Sequence, residues 1–444
     1  MTQTNLDLVS TSAPQAREPQ GAAVELARAQ LWPIVLWAVA LPATWYWGEW
    51  LGEQGYDLVL AGSQPFLGGF NLEIEPGILM VLALAAAAVI YLPTLAQSLG
   101  WRPLLVTGWL AASAWTLALT TVRGTEDLTL PLTKADDYLR VVPLADADLS
   151  EFVATFTDDI LDYPTHVKGH PPGLVVFLTL LARIGVTSDV AIALMYVFVG
   201  TSALAAVAVT VKILAGEEMF RRAMPVVVVV PAAVWIGTSP DAFFAGVLAW
   251  GVAFLAMAHR NLWWALPGGV LLGMCPFLSY GLLPMGVILL AVVFVQRDWI
   301  ATAVCAGVAL LVPVGWALAG FTLYEGIFAT QTAWELDAAS VRPYWYFAIA
   351  NLVVLATLVG PAALAGLPGS GSLPAPVKWL IWLALFGALF GSLSGYMRGE
   401  VERIWLPLVY WIALAAAVPG PRRRWVAASV PVALACQIFI ASQW

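Results

Sequence analysis

The sequence predicts an all-α protein, a polytopic transmembrane bundle of about thirteen spans. Three observations carry this. Hydrophobic residues are 61% of the 444 and charged residues only 11%, against about 25% charged in an ordinary soluble domain. Mean hydropathy is +0.84. Apolar runs recur from Leu31 to the C-terminus, many near the roughly 20 residues that cross a bilayer as a helix. The short alternating strands of a β-barrel are absent from the pattern.

Taken in order, residues 1–28 are rich in Ser, Thr, Ala, Pro and Gln and are expected to be a disordered cytoplasmic tail. No basic stretch or small-residue cleavage site precedes the first apolar run, so Trp32–Trp50 is expected to remain in the mature protein. Residues 29–121 hold spans at 31–50, 77–96 and 103–121. Residues 122–172 form a long polar loop. Residues 173–444 form the main bundle, with apolar segments at 173–186, 190–213, 223–238, 242–258, 262–280, 282–296, 299–320, 344–363, 378–396, 404–419 and 425–443. Tryptophans near many of their ends suit an interfacial belt.

Orientation follows from Lys and Arg in short loops. The runs "PRRRW" (421–425), "GEEMFRR" (216–222), "HRN" and "QRD" vote for the cytoplasm. The acidic first loop and residues 122–172 vote for the outside. Fourteen segments cannot satisfy both ends of the chain, so one must fail to cross. The suspects are 173–186, which is short, and the Pro- and Gly-rich pair over 262–296. Cys275, Cys305 and Cys436 are scattered through apolar segments without metal-ligand spacing and read as small buried hydrophobes.

The loop 122–172 holds ten of the 28 acidic residues and four Lys and Arg, a length and charge that connectors rarely have. In "DADLSEFVATFTDDILDYP", Leu149, Phe152, Val153, Phe156, Ile160 and Leu161 recur near helical spacing. This predicts an amphipathic helix on the membrane surface or on the bundle, ended by Pro164. Before it stand the pairs Glu126-Asp127 and Asp136-Asp137, either of which suits a general base or a divalent cation, or merely a solvated face. After it comes "THVKGHPPG". His166, Lys168 and His170 are donors suited to a phosphate, and the alternative is an ordinary helix start. The second unusual piece is "GYMRGEVERIW", in which Arg398, Glu400, Glu402 and Arg403 separate two spans. Ionisable residues at such depth are paired, functional or both. Asp241 in "TSPDAFF" and Tyr280 in "PFLSYG" are weaker signals, and Asp241 also fits a helix N-terminus.

Many spans, a long loop with an acidic pair and a juxtamembrane helix, then a Pro-Pro helix start, resemble the GT-C superfamily of membrane glycosyltransferases. Its members include protein O-mannosyltransferases and actinobacterial cell-wall mannosyl- and arabinosyltransferases. The resemblance runs over roughly residues 100–260, through "KADDYLR", "THVKGHPPG" and "TSPDAFF". It implies transfer of a sugar from a polyprenyl-phosphate donor to a glycan, lipid or protein acceptor at the extracytoplasmic face of a bacterial plasma membrane. Asp137, Asp136, Asp127 or Glu126 would then be the base. His166, Lys168, His170, Arg398 and Arg403 would hold the donor phosphate, with Glu400, Glu402, Tyr280 and Asp241 in support. A divalent cation, Mg or Mn, is a possible cofactor, and no nucleic acid is expected as a partner. One departure is that the acidic loop follows the third span, whereas in typical members it follows the first. The alternatives are a lipid-linked glycan polymerase or ligase, and a secondary transporter or lipid flippase.

Overall fold

The computed structural model describes residues 26–70, 72, 74–134, 137–237 and 239–442. Of the expected tail, residues 1–25 lie outside these. Residues 26–30 are extended and tied to the protein: the Ala27 N–H donates to Ser372 Oγ at 2.9 Å and the Gln30 N–H to the Ala365 carbonyl at 2.9 Å. Ala27, within the stretch expected as a tail, is thus bonded to the rest of the protein.

Three helices come first: α1 (Trp32–Glu53), α2 (Ile78–Ser98) and α3 (Trp101–Thr120). The polar loop holds α4 (Val142–Ala147), α5 (Leu149–Thr155) and α6 (Thr165–Lys168), and α7 (Gly173–Arg183) follows. Next are α8 (Asp189–Ala215), α9 (Glu218–Val228), α10 (Ala233–Ile236), α11 (Pro240–Ala258), α12 (Ala265–Leu278), α13 (Leu282–Met285) and α14 (Leu289–Gln296). The chain continues through α15 (Trp299–Leu318), α16 (Leu323–Glu335), α17 (Tyr344–Gly366), α18 (Ala375–Leu393), α19 (Val401–Ile404), α20 (Leu406–Ala413) and α21 (Arg423–Phe439). A short antiparallel pair, β1 (Gly68–Phe70) with β2 (Ile440–Ser442), ties the first loop to the C-terminus.

Among the described residues, seven helices are long and apolar enough to cross a membrane: α2, α3, α8, α11, α15, α17 with the turn after it, and α18. Their outer surfaces fit no aqueous setting. Leu310, Leu311 and Ile300 on α15 are each about two-thirds exposed or more, and contiguous apolar surface of that kind needs lipid or a partner. By contrast α11 is buried along most of its length and packs between α8 and α12.

The segment 173–186, like those over 262–296 and 404–419, forms only a shorter apolar helix. At 11 residues α7 reaches only about 16 Å, half the hydrocarbon thickness. Its C-terminal Arg183 returns to the polar loop, with Nε 2.7 Å from Asp146 Oδ1. The segment 223–238 is also not one helix. It breaks at Pro231 between α9 and α10, and α17 kinks at Gly360, whose φ is +78°. The two breaks meet: the Ala232 N–H donates to the Leu358 carbonyl at 3.1 Å. A Cβ on Gly360 would come within 2.9 Å of Pro231. Each irregular backbone thus satisfies groups that the bilayer core could not.

The continuous amphipathic helix expected up to Pro164 is shorter than the pattern suggests. After α5 the chain passes through a turn to a single 3-10 turn at Ile160–Asp162. Phe152, Val153, Phe156 and Ile160 are buried as the periodicity requires, but Leu161 is exposed. The aromatic rings decide this outcome. Phe156 packs on Tyr163 and Phe321, so the segment folds onto the bundle and does not lie as a straight helix on the membrane.

Candidate functional site

The polar loop and the "GYMRGEVER" turn meet at one end of the bundle. Gly399 has φ +90° and Glu400 φ +59°, so the chain turns through two left-handed residues, a conformation that costs a non-glycine residue roughly 1 kcal/mol or more. Glu400 is held there by two cations. Arg342 Nη1 lies 3.0 Å from Oε1, and Arg403 Nη2 lies 2.9 Å from Oε2. Arg403 Nη1 also holds Asp241 Oδ2 at 2.8 Å. Asp241 is free to do so because Ser239 caps α11, its Oγ accepting from the Asp241 N–H. Two arginines and two carboxylates make a neutral buried quartet, the arrangement low-dielectric surroundings tolerate. Burial alone would raise the Glu400 carboxyl, but the two guanidiniums outweigh it and hold it at about 2.

Around this quartet lie the loop residues. Tyr138 is buried, stacked on His166 with ring centroids 6.1 Å apart and edge-on to His170 at 5.8 Å. Burial and then the Asp241 charge keep its phenol protonated. His170 Nδ1 bonds the His166 carbonyl at 3.0 Å, and its ring lies 6.2 Å from Phe244. Both imidazoles are neutral. Burial, then the Arg403 charge, lowers His166 to about 3, and burial lowers His170 against the pull of Asp241.

Asp137 is 4% exposed. Its Oδ1 accepts from the Leu139 N–H at 3.0 Å, capping a 3-10 turn. Burial raises its carboxyl to about 7, with the neighbouring charge of Asp189 adding to the effect. Glu402 is the second such group: wholly buried, its Oε1 accepts from the Leu67 N–H at 3.0 Å, and burial pushes it up to about 7. Its other oxygen, Oε2, is buried and makes no hydrogen bond.

The remaining sequence candidates fall elsewhere or do other work. Asp136 lies outside the described residues. Asp127 is paired with Arg123 at 2.7 Å, and Glu126 is exposed beside it. Lys168 points its ammonium at Asp337, 4.0 Å away, while its carbonyl accepts from Thr330. Arg398 holds the carbonyls of Gly395, Ser340 and Arg342 and sits 4.9 Å over Trp334, which makes it a clamp for this turn. Tyr280 buries its hydroxyl near Gly326 and Thr330, away from the quartet.

Arg342 and Asp189 are not among the residues that the sequence singles out, although Arg342 carries a signal, as a lone cation before a proline at the head of an apolar span. No group of three or more His, Cys, Asp or Glu able to hold a metal occurs among the described residues. Chemically this end offers two buried carboxyls raised toward neutrality, Asp137 and Glu402, two buried imidazoles and a guanidinium already matched by two carboxylates. No family model, curated protein or solved structure matches this chain.

Proposed function

We propose that the chain is a membrane glycosyltransferase of the GT-C kind, moving a sugar from a polyprenyl-phosphate donor to a hydroxyl of a glycan, lipid or protein. The observation that carries this reading is Asp137, a buried carboxyl that burial raises to about 7, next in the chain to Tyr138, whose ring stacks on His166 and meets His170 edge-on. A base works best when its pKa lies near the working pH. In the proposed step the acceptor oxygen attacks the anomeric carbon and its proton passes to Asp137. The bond from that carbon to the phosphate oxygen breaks, its electron pair leaving with the phosphate, and the configuration inverts. His166 would donate an N–H group to the leaving phosphate, His170 (whose Nδ1–H is held by the His166 carbonyl) would position it, and Arg403 would trade a carboxylate for it.

Supporting the lipid donor is a cavity of about 830 Å³ between α5, α7 and the largely exposed α15. Val176, Leu311, Val312 and Trp316 give it apolar walls, while Arg183 and Asp148 stand at its rim. It reaches α7 within a turn of its start, just past His170-Pro171-Pro172.

We read thirteen crossings, the shorter helices α12, α13 with α14, and α20 among them, with α7 lying at one end. The arginines of "GEEMFRR" and "PRRRW" gather at the end opposite the cluster, which by the positive-inside rule faces the cluster out of the cytoplasm. A bacterial plasma membrane suits such a donor.

The test is reconstitution in nanodiscs with polyprenyl-phosphate donors bearing hexoses or pentoses, with products read by mass spectrometry. Release of polyprenyl phosphate with matching sugar transfer supports the reading; no turnover of any donor opposes it. A secondary transporter is the second reading, favoured by the paired breaks at Pro231 and Gly360, since transporters build sites on broken helices. Uptake driven by an ion gradient, in the absence of transfer, would decide for it.

A further inference from the structure

The end of the bundle opposite the cluster holds a second feature. A cavity of about 410 Å³ is lined by Arg28, Arg222, Arg422 and Arg424, with Pro419 and Gly420 among its other walls, and no acidic side chain among the described residues lines it. Three chain segments far apart in sequence supply these cations. Arg222 is fixed in place: its Nε donates to the Ala417 carbonyl at 2.8 Å. Its Nη2 also donates to the Val418 carbonyl at 3.4 Å, and Gly420, at φ +75°, packs close to it, since a Cβ there would come within 3.1 Å of Nη2.

The arginines are also set against the helix they precede. α21 begins at Arg423 with Arg422 as its N-cap, with no side-chain cap and no acid in the first turn. Three successive cations thus sit at the positive end of a helix, where anions are favoured and cations are not. Charge alone, as a signal for orientation, needs arginines near the bilayer but no walled cavity and no fixed guanidinium. Arginine forks match phosphate oxygens in pairs, and the volume lies within the range of small-ligand pockets.

We propose that this cavity is a binding site for a phosphate ester, independent of the transfer site at the other end. The phosphate is either the headgroup of an anionic phospholipid from the adjoining leaflet or a soluble phosphate compound, and one experiment separates them. The full-length protein in phosphatidylcholine nanodiscs is titrated with inorganic pyrophosphate, and separately prepared in discs containing phosphatidylglycerol. Binding is read by the shift in unfolding midpoint and by lipid retained in native mass spectrometry. Arg28→Gln and Arg422→Gln are the variants, because both side chains are exposed and lack contacts that support the fold. Arg123→Gln at the other end is the control.

A saturable upward shift with phosphatidylglycerol, weakened at least tenfold in Arg28→Gln/Arg422→Gln and unchanged in the control, supports a headgroup site. The same behaviour with pyrophosphate supports a soluble ligand. If neither probe shifts the midpoint, or the double variant and control respond like the parent protein, the proposal is overturned and the arginines only orient the chain.

Discussion

The two ends of the bundle handle positive charge in opposite ways. At the end carrying the polar loop, Arg403 and Arg342 are buried and each is matched by a carboxylate from another part of the chain. At the other end, Arg28, Arg422 and Arg424 are exposed and line a cavity with no acid among its described lining residues. Burial is the reason. A guanidinium removed from water needs an internal counter-charge, whereas one at the surface keeps its solvation and stays available to a ligand. The first end is therefore built for fixed geometry around titrating carboxyls, and the second for exchange.

The largest expected effect bears on the first end. Asp137→Asn is expected to lower sugar transfer by about 10²-fold or more, the usual worth of a general base, while leaving the unfolding midpoint unchanged or higher, since it removes a carboxyl that burial disfavours. Transfer at the parent rate by this variant would leave Asp137 only a cap. The same assay across pH is expected to show activity rising through about 7 as Asp137 loses its proton.

Next in size, Arg403→Gln leaves Asp241 and Glu400 buried without their shared cation and is expected to cost about 3–5 kcal/mol, read by chemical or thermal unfolding in detergent. Adding Asp241→Asn is expected to recover part of that loss. A double variant as unstable as the sum of the two singles would mean the pair does not act as a unit.

A smaller effect is expected from pH. Glu402 is raised from its ordinary value to about 7, so the folded protein binds more protons than the unfolded chain between about 4.5 and 7. Its contribution to stability is therefore present at low pH and lost as pH rises through that window. His166 has the opposite sign: lowered to about 3, it costs stability as pH falls from about 6.5. Glu402→Gln is expected to flatten the decline of the unfolding midpoint between pH 5 and 7 and to leave the acid side unaltered. An unchanged slope would mean that Glu402 does not titrate there.

The smallest effect belongs to the second end. Arg422→Gln in phosphatidylcholine alone is expected to change stability by no more than about 0.5 kcal/mol, as for a surface substitution outside any network. A loss comparable to that of Arg403→Gln would erase the contrast between the two ends.

The sequence by itself determined the helical class, where the apolar segments lie, and that residues 173–186 and the pair over 262–296 were weak candidates for a crossing. It also marked "THVKGHPPG" and "GYMRGEVER" as polar turns out of keeping with their neighbours. These are local properties: the bilayer's demand for satisfied backbone and apolar surface is met within each segment, so composition and length reveal it. Only the tertiary structure decided which charges meet. Asp241 and Arg403 are 162 residues apart, and nothing in either segment names the other. Arg342 looked like an isolated cation, and Lys168 and Arg398 were grouped with the phosphate donors because of where they stand in the chain, yet packing turned them to Asp337 and to backbone carbonyls. The broken helices and the arginine cavity likewise depend on segments brought together from distant parts of the chain. Long-range pairing is set by how helices pack across the whole bundle, and that information is spread over every buried face at once.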